Sequence, residues 1–476
     1  MKQPKHKNQN TTNPPERILQ FGEGNFLRAF FDFMIDELNE KQLFDGKIVM
    51  VQPIKNGLAD EINAQNGQYT VILRGLENKK ITKRQRRITC VSRCINPYTD
   101  FNALLETMEN PQLRYIVSNT TEAGIVYHAA DKITDTPPES FPGKITVLLH
   151  ERYKITKGDP EKGFVFIPCE LIDDNGTNLK EIVLRHAESW GLGQDFIRWV
   201  HNANYFTNTL VDRIVTGYPT GEAEALTRAL GYADKLLTTG EIYHFFAIEE
   251  PPVPLPPFRE AGLNVILTQD VTPYKIRKVR ILNGAHTLSV LAAFLCGKNT
   301  VLEMMQDELL LCFIKKGLFD EIIPTLETEG ATEFAEAVLE RFVNPFIQHA
   351  LLSISLNSVS KFKARVLPTL LDYQQQKGTL PEMLTLSFAA LIAFYKGSER
   401  HSAKDEAEVL HFFKDVWEKA EPAREGVLAL VKTVCARLDF WGMDLNEIPG
   451  FAEKTTEYLH HIQTQGMRQT LEGVLQ

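Results

Sequence analysis

Two different hydrophobic patterns divide the chain. In the N-terminal part, apolar residues fall in short runs bounded by glycine, proline or polar clusters, which is typical of buried strands. Beyond Val271 apolar positions recur at i, i+3 and i+4, as in Phe334, Val338 and Phe342, which indicates amphipathic helices. The pattern predicts an α/β domain over residues 1–270 and a mainly α-helical domain over residues 271–476. The predicted strands are Arg17–Phe21, Lys47–Val51, Tyr69–Arg74, Arg87–Val91, Tyr115–Val117 and Phe164–Pro168.

The first predicted strand leads into a glycine turn. Gly22 and Gly24 follow Arg17–Phe21, and a helical pattern begins just after them. This order is that of the first unit of a dinucleotide-binding fold, in which the first glycine permits the tight turn and the second lets the backbone approach a pyrophosphate. Leu27 replaces the third glycine of the usual pattern, so these residues alone are weak support for nucleotide binding.

Two further loops bear on a cofactor. A carboxylate that binds the ribose is expected just after the second strand, where Gln52 and Pro53 stand, so the residues alone leave both NAD and NADP open. Asn119 and Thr121 lie in the polar loop after Tyr115–Val117. A loop at the carboxyl end of a parallel strand is either a nucleotide site or a plain surface loop.

Local signals give three structural predictions. The charged segment Asn78–Arg86 is interpreted as a solvated hairpin loop. Five prolines between Glu249 and Gly262 predict a stiff extended connector near the domain boundary. Thr379 and Glu382 have the spacing of a capping box at the start of an apolar helix.

The stretch from Lys278 to His286 concentrates the candidate chemistry. Lys278 is a candidate proton donor, Asn283 a carbonyl binder and His286 an orienting imidazole. On an α-helix Asn283 lies about 140° and His286 about 80° around the axis from Lys278, so one side of the helix could carry all three. The alternative is a hairpin turn at Asn283 and Gly284 between two apolar runs, with Lys278 merely solvated.

In this stretch a lysine is followed after four residues by an asparagine and after two more by a histidine. This spacing resembles the signature of the polyol-specific long-chain dehydrogenases and reductases, the family of mannitol dehydrogenase. The likeness covers essentially the whole chain, including Val211–Pro219 and the pair Leu27-Arg28, which matches the family's variant of the glycine turn. The resemblance implies a Rossmann-like NAD-binding domain, a helical catalytic domain, an active site at their junction, and no catalytic metal.

The resemblance also implies catalytic roles. Lys278 is the general acid and base, Asn283 holds the reacting oxygen, and His286 binds the same oxygen or a neighbouring hydroxyl. Family members often carry a glutamate three residues before the lysine, where this chain has Lys275. A carboxylate route for the proton to solvent is therefore not expected from that position.

Binding residues follow from the same resemblance. Asn175 and Asp212 are implied to bind the substrate, with a structural ion pair as the alternative for Asp212. In polyol-oxidising relatives an arginine and, eight residues later, a lysine face the substrate; here Ser353 and Lys361 stand there, and we expect both on one helix face. Lys361 then either meets a substrate carboxylate or is a surface lysine. The implied cofactor contacts are Gly22, Gly24, Asn25, Phe26, Leu27, Arg28, Asn119 and Thr121.

Within the family, the chain most resembles members that act on sugar acids. The implied reaction is the NAD-dependent reduction of D-tagaturonate to D-altronate and the reverse oxidation. Reduction of fructuronate, or interconversion of mannitol and fructose, is the alternative with the same machinery. A nucleotide-sensing protein with a decayed site is a different class of function, and the intact Lys278, Asn283 and His286 argue against it.

Composition narrows the class of partner. The net charge is -9 and no basic stripe compensates it, which argues against nucleic acid and anionic membranes and favours a small-molecule substrate. The polar segment Met1–Pro15 is no signal peptide, and no apolar run approaches the roughly 18 residues of a membrane span, so we expect a cytoplasmic protein. The six scattered cysteines predict reduced thiols, and Cys90 and Cys94 lack the second ligand pair of a zinc site. The oligomeric state stays open.

Overall fold

A computed structural model describes residues 14–121, 123–398 and 401–476. Most of the polar segment Met1–Pro15 therefore lies outside the described residues. No helix in these ranges is long and apolar enough to cross a bilayer. All six cysteines are free thiols, and Cys90 and Cys94 are both buried.

The chain folds into two compact units. The first runs up to Gly75 and continues from Lys80 to Val271. The second comprises Leu76–Lys79 and Thr272–Gln476. The division between Val271 and Thr272 lies within one residue of the position at which the hydrophobic pattern changes from strand-like to helical.

A parallel sheet forms the centre of the first unit. Six strands lie in the order β5-β2-β1-β6-β7-β8, and two smaller sheets have the orders β10-β11-β3-β4 and β13-β12-β9. When the hairpin β3–β4 is set aside, the parallel order is the 3-2-1-4-5-6 order of dinucleotide-binding folds, with its reversal between β1 and β6. The strands are β1 (Glu16–Phe21), β2 (Lys47–Val51), β3 (Tyr69–Glu77), β4 (Lys80–Ile88), β5 (Val91–Ile95), β6 (Tyr115–Ser118), β7 (Val165–Pro168), β8 (Tyr205–Phe206), β9 (Thr209–Asp212), β10 (Val215–Gly217), β11 (Thr238–Glu241), β12 (Phe245–Glu249) and β13 (Val265–Thr268).

Helices cover both faces of the parallel sheet. Ile18 on β1 packs into one hydrophobic core, while its neighbour Leu19 packs into the other. Burial on two faces explains why the strands read as continuous apolar runs rather than as alternating ones. The α/β prediction is therefore confirmed. The helices are α1 (Asn25–Ala29), α2 (Phe31–Glu40), α3 (Ala59–Ala64), α4 (Phe101–Glu106), α5 (Phe141–Thr156), α6 (Asn175–Ser189), α7 (Gln194–Ala203) and α8 (Ala223–Leu230).

The second unit is helical, as its sequence period predicts. Two stretches of π-helix, Val279–Asn283 and Gly317–Ile322, continue the α-helices that precede them. Two helices lie between Val301 and Lys316, and Asp307 caps the second by accepting hydrogen bonds from Leu309 N and Leu310 N. The α-helices are α9 (Thr272–Lys278), α10 (Gly284–Leu295), α11 (Val301–Met305), α12 (Glu308–Lys316), α13 (Ala331–Phe342), α14 (Leu351–Ile354), α15 (Ser358–Arg365), α16 (Leu367–Lys377), α17 (Glu382–Tyr395), α18 (Ala407–Glu418), α19 (Arg424–Cys435), α20 (Leu438–Trp441), α21 (Phe451–Gln465) and α22 (Met467–Leu475).

The loop predicted over Asn78–Arg86 is much shorter in the structure. Only Asn78 and Lys79 turn, both with positive φ, and the charged residues after them lie on β4. Strand β4 is the edge strand of its sheet. Most of its charged side chains face solvent, whereas Arg86 is paired with Asp36 (3.2 Å) and Glu40 (2.6 Å). The backbone of β4 pairs with β3, and the residue types alone did not reveal that pairing.

The predicted capping box before the apolar helix α17 does not form. Pro381 is the N-cap residue, and it has no side-chain hydrogen bond to the helix. Instead the Glu321 carboxylate accepts hydrogen bonds from Met383 N (2.7 Å) and Leu384 N (2.9 Å). A residue about sixty positions earlier therefore satisfies the free amides that the local pattern assigned to Thr379.

Candidate functional site

The glycine turn after β1 has the backbone that a nucleotide site needs. Gly22 has φ 122°, and a Cβ there would lie 3.0 Å from the carbonyl oxygen of Asn119, so only glycine fits without strain. Gly24 has an ordinary φ of -68°, and a Cβ there would have no described atom within 4 Å. The fold itself requires Gly22, whereas the space beside Gly24 fits an approaching pyrophosphate.

The loop after β6 meets this turn. The Asn119 N–H donates to the carbonyl oxygen of Phe21 (3.0 Å), which ties the end of β6 to the end of β1. Thr121, with φ 78°, lies two residues further along the same loop. The structure thus brings the two predicted cofactor loops together where the strand order reverses, the place at which open α/β sheets bind nucleotides.

Glu170 stabilises the loop after β6. The N–H and the hydroxyl of Thr120 each donate to Glu170 Oε1 at 2.9 Å, and the Ser118 hydroxyl donates to Oε2 at 3.0 Å. Burial raises the pKa of this carboxyl, and the hydrogen bonds oppose that effect. Sequence reasoning missed this role of Glu170, because its partners lie about fifty positions away.

Leu27 and Arg28 lie beneath the turn rather than at its surface. Leu27 is buried in the core, and the buried Arg28 donates from Nε to Glu23 O (3.0 Å) and from Nη2 to Asn25 Oδ1 (2.7 Å). A third hydrogen bond joins Arg28 to the carbonyl oxygen of Leu236. Both side chains therefore stabilise the turn from below, and the contact of this pair with a cofactor stays a prediction.

Phe26 and Asn25 complete the same segment. Phe26 is half-buried and stacks on Phe30, with ring centroids 4.9 Å apart. Asn25 and Gly24 are exposed, so they form the surface of the turn. Contacts to a cofactor can come from this surface and from the free amides at the start of α1.

Gln52 occupies the position expected for a ribose-binding carboxylate. Its Nε2 donates to Ile54 O (2.8 Å) and Lys55 O (3.0 Å), and its Oε1 accepts from Ala59 N (3.2 Å). The side chain is buried, and its polar atoms order the loop after β2. The candidate dinucleotide site thus has a suitable turn and suitable loops but no carboxylate at this position.

Asn175 is a structural residue, which corrects the prediction that it binds the reacting oxygen. It is only 1% exposed. Its Oδ1 accepts from Thr209 N (3.0 Å) and Gly176 N (2.9 Å), while its Nδ2 donates to Pro168 O and Glu170 O, each at 3.1 Å. The whole amide is used to join the ends of β7 and β9, so none of it is available to a ligand.

The block around Asp212 ends β9. Asp212 is buried, and the neighbouring Arg213 is buried as well. Arg213 donates to the carbonyl oxygens of Ala29 (2.6 Å), Tyr243 (3.0 Å) and Ile242 (3.2 Å), and burial lowers its pKa to about 9. Arg213 therefore contributes to the fold, and Asp212 is the member of this block that stays a candidate for substrate binding.

The stretch from Lys278 to His286 is helical throughout. Lys278 ends α9, Asn283 ends the π-helix Val279–Asn283, and His286 lies in the first turn of α10. The hairpin alternative at Asn283 is therefore wrong. Because a π-helix bonds i to i+5, it widens this turn, a feature often found at functional sites. The α-helical spacing of 100° does not apply across it.

The two arginines that flank Lys278 have partners of their own. Arg277 is buried and donates from Nη1 to Glu329 O (2.9 Å). Arg280 donates from Nη1 to Asp372 Oδ2 (2.8 Å) and Thr369 Oγ1 (3.1 Å). Both guanidinium groups join α9 and the π-helix to neighbouring segments, while Lys278 is half-buried between them.

His286 lies among aromatic and basic side chains. Its ring stacks on Phe342 at 4.3 Å between centroids and meets His349 edge-on at 5.4 Å. Its Nδ1 is buried and has no hydrogen-bond partner among the described residues. Burial, followed by the charges of His349, Arg341, Arg365 and Lys361, lowers its pKa to about 3. His286 is therefore neutral at physiological pH.

Ser353 and Lys361 do not share one helix, contrary to the prediction. Ser353 lies in α14 and Lys361 in α15, and Asn357 between them has φ 53°, which breaks the helix. Lys361 Nζ reaches back over the break and donates to the carbonyl oxygen of Ile354 (2.8 Å). Asparagine tolerates the left-handed region better than most residues, so Asn357 was the available sequence signal.

The first unit has a doubly wound parallel sheet with a glycine turn where the strand order reverses. The second unit is helical and carries Lys278, Asn283 and His286. Together these features define a dinucleotide-linked dehydrogenase. More specifically, the chain belongs to the mannitol dehydrogenase family. The family model for the mannitol dehydrogenase Rossmann domain matches residues 16–257, and that for the mannitol dehydrogenase C-terminal domain matches residues 270–463.

Named relatives are similar over nearly the whole chain. An altronate oxidoreductase of Bacillus subtilis (strain 168) is 45% identical over 463 residues, covering 97% of this chain and 95% of the relative. One of Klebsiella pneumoniae (strain 342) is 47% identical over 466 residues, covering 96% of each.

Two solved structures share the fold. Mannitol 2-dehydrogenase of Pseudomonas fluorescens, in a ternary complex with NAD and D-mannitol, is 22% identical with a TM-score of 0.71, covering 97% of this chain and 95% of that one. A substrate-free D-sorbitol dehydrogenase is 21% identical with a TM-score of 0.81, covering 96% of this chain and 95% of that one.

Proposed function

We propose that the chain interconverts D-tagaturonate and D-altronate, with NAD(H) as the hydride carrier. The observation that carries the proposal is the identity of 45% and 47% over nearly full length to relatives named altronate oxidoreductase. The same class of reaction is supported by one helical run that carries Lys278, Asn283 and His286. These residues supply a proton donor and two polar groups that can bind one oxygen.

The catalytic roles follow from the chemistry of these side chains. The nicotinamide, when bound, supplies the hydride in reduction and accepts it in oxidation. Lys278 Nζ gives a proton to the substrate oxygen in reduction and takes it from the hydroxyl in oxidation. Asn283 donates a hydrogen bond to that oxygen as negative charge develops. His286, which is neutral, binds the same oxygen or the adjacent hydroxyl without adding charge.

For the cofactor we propose NAD, held by the surface of the glycine turn and by the loop after β6. Gly24 and Asn25 lie at that surface, and Asn119 and Thr121 lie beside it. Gln52 offers no carboxylate to the ribose, so the preference for NAD over NADP needs a direct test. The proposed compartment is the cytoplasm, in keeping with six free cysteines.

Substrate binding is assigned to two further residues. Asp212, buried at the end of β9, is proposed to bind a substrate hydroxyl. Lys361 is proposed to bind the carboxylate that distinguishes a sugar acid from a polyol. The second assignment explains why an acid would be preferred to the neutral sugars of the wider family.

The decisive experiment is a spectrophotometric panel with the purified full chain. Tagaturonate, fructuronate and fructose are each offered with NADH and with NADPH, and the oxidation of the reduced cofactor is followed. We expect tagaturonate with NADH to give the highest kcat/KM. A higher value for fructuronate or fructose would assign the chain to another reaction of the same family. Binding of NADH without turnover of any of the three would point to a nucleotide-sensing protein.

A further inference from the structure

A group of basic side chains surrounds His286 within the helical unit. Arg341 comes from α13, His349 from the segment after it, and Lys361 and Arg365 come from α15. All four lie close enough to affect the protonation of His286. The carbonyl oxygen of Arg365 lies 3.4 Å from where a Cβ on Gly284 would be, so the end of α15 packs directly on the start of α10.

Lys361 and Arg365 lie on the same face of α15. They are four positions apart, which places their side chains one above the other on the helix surface. Two like charges at this spacing destabilise a helix unless an anion lies between them or near them. Their charges also add to each other at His286.

The pair has little negative charge near it among the described residues. No carboxylate in the described part of the chain forms an ion pair with Arg365, and burial lowers the pKa of its guanidinium. Asp405 is the carboxylate that raises the pKa of Lys361, against burial and Arg365, and it already accepts hydrogen bonds from the Tyr395 hydroxyl and from Val359 N (3.5 Å). Arg280, by contrast, has its own ion pair with Asp372.

We propose that Arg365, together with Lys361, binds the carboxylate of the sugar-acid substrate beside His286. The inference rests on the proposed function. A carboxylate placed between the two side chains accepts two parallel hydrogen bonds from the planar guanidinium and a third from the ammonium. It also removes the repulsion within α15. His286 Nδ1, buried without a partner, is then available for the adjacent hydroxyl.

The first test compares charged and neutral substrates. Arg365→Gln is expected to raise the KM for altronate about 10- to 100-fold, the range for a lost charged hydrogen bond, with a much smaller change in kcat. The KM for a neutral sugar that the wild type turns over, chosen by assaying fructose and mannitol, should stay within about twofold. Lys361→Met should show the same selective effect, and Arg365→Lys should recover part of the loss because it restores the charge but not the paired donors.

Lys363→Gln is the matched control. Lys363 is exposed on the same helix, and its Nζ lies near Gly442 rather than near His286. The Lys363→Gln substitution removes one positive charge from α15 and should change neither the KM for altronate nor the KM for the neutral sugar. Added guanidinium chloride at millimolar concentration should lower the altronate KM of Arg365→Ala and leave that of Lys363→Gln unchanged. A purely structural role for Arg365 would not give this rescue.

Binding measured by calorimetry separates failure of this inference from failure of the proposed function. D-altronate and D-gluconate are titrated into the NADH-saturated full chain and into NADH-saturated Arg365→Gln, because neither alcohol can be oxidised when the bound cofactor is already reduced. If the wild type turns over no tagaturonate but loses sugar-acid binding on substitution of Arg365, the reaction is wrong and the carboxylate site stands. If Arg365→Gln keeps wild-type affinity, or weakens charged and neutral ligands equally, the carboxylate site is wrong. If the wild type binds neither acid, both proposals are wrong.

Discussion

At the scale of single residues, Lys278 carries the most direct prediction. Lys278→Ala should leave NADH binding intact and lower turnover by about 10² to 10⁴, the range for loss of a general acid or base. Altronate oxidation by the wild type should accelerate with rising pH, because the amine must be unprotonated to take the proton. Steady-state kinetics and fluorescence titration with NADH measure the two effects separately.

The control for Lys278 is Lys275→Ala, one helical turn earlier on α9. Lys275→Ala should keep most of the activity and the same pH profile. If instead Lys278→Ala retains most of its activity with an unchanged profile, the proton donor lies elsewhere.

His286 gives a second prediction at this scale. His286→Ala should raise the sugar KM and lower kcat together, because the imidazole contacts the substrate both in the bound ground state and in the transition state. Because burial and neighbouring charges lower its pKa to about 3, its protonation should contribute no break to the activity profile near pH 6.5. The exposed His411 on α18 serves as the control, and full activity of His286→Ala would assign that histidine a structural role.

The two glycines of the nucleotide turn should respond differently to substitution. Gly24→Val should raise the NADH dissociation constant while leaving the melting temperature normal, because its φ suits any residue and a Cβ meets no described atom. Gly22→Ala should instead lower stability by about 1 kcal/mol or more, because its φ of 122° and its contact with Asn119 exclude a side chain. Thermal melts and NADH titrations of both variants check the contrast, and unaltered cofactor affinity in Gly24→Val would place the nucleotide elsewhere.

At the scale of elements, the start of α17 makes stability depend on pH. Burial raises the pKa of Glu321 from 4.5 to about 7, while its hydrogen bonds with the α17 amides act in the opposite direction. Between these two values the folded state binds more protons than the unfolded state, so the stability that this group contributes is present at low pH and decreases as pH rises. The loss amounts to about 3 to 4 kcal/mol at most, since the pKa rises from 4.5 to about 7 and each pKa unit corresponds to about 1.4 kcal/mol.

Glu321→Gln should remove the part of the pH dependence of stability that Glu321 causes. The difference in unfolding free energy between wild type and variant should decrease from pH 4.5 to pH 8, as measured by denaturant melts. Asp320→Asn, at the exposed neighbouring position, should leave the pH dependence unchanged. Parallel pH curves for wild type and Glu321→Gln would contradict the assigned role.

Elements were predictable where a local signal decided them. Strands such as β2 were predicted with their observed bounds, because a buried parallel strand is a plain apolar run between turn residues. The π-helix Val279–Asn283 was not predictable, since its hydrogen-bond shift depends on how α9 and α10 pack and not on residue type. The cap of α17 was missed for a related reason: its acceptor is Glu321, which is distant in sequence.

The candidate site shows the same limit. Gly22 and Asn119 could be predicted to lie near a nucleotide, because each follows a parallel strand and the fold places the ends of β1 and β6 side by side. Asn175 was misassigned because a motif position does not reveal that the amide is fully hydrogen-bonded inside the protein. Arg365, which we propose to bind the substrate carboxylate, was not singled out from the sequence, although its i, i+4 spacing to Lys361 could have indicated a shared charged face.

At the scale of the whole molecule, the proposed chemistry needs no metal. The lysine and the polar residues near it take the roles that zinc has in other dehydrogenases, namely to polarise the oxygen and to move its proton. Incubation with EDTA should therefore leave activity unchanged after the chelator is removed by dialysis. Loss of activity that added zinc restores would contradict the metal-free mechanism.

The strand β4 at the edge of the four-stranded sheet has a consequence for the behaviour of the protein at high concentration. An edge strand exposes unpaired backbone groups that can recruit a strand from another molecule and start aggregation. Here that edge carries the exposed Lys80, Lys83, Arg84 and Arg87, while Arg86 is paired with Asp36 and Glu40, so two copies brought edge to edge would repel each other. The basic residues that read as a solvated loop in the sequence thus protect an otherwise acidic molecule from self-association through its own sheet.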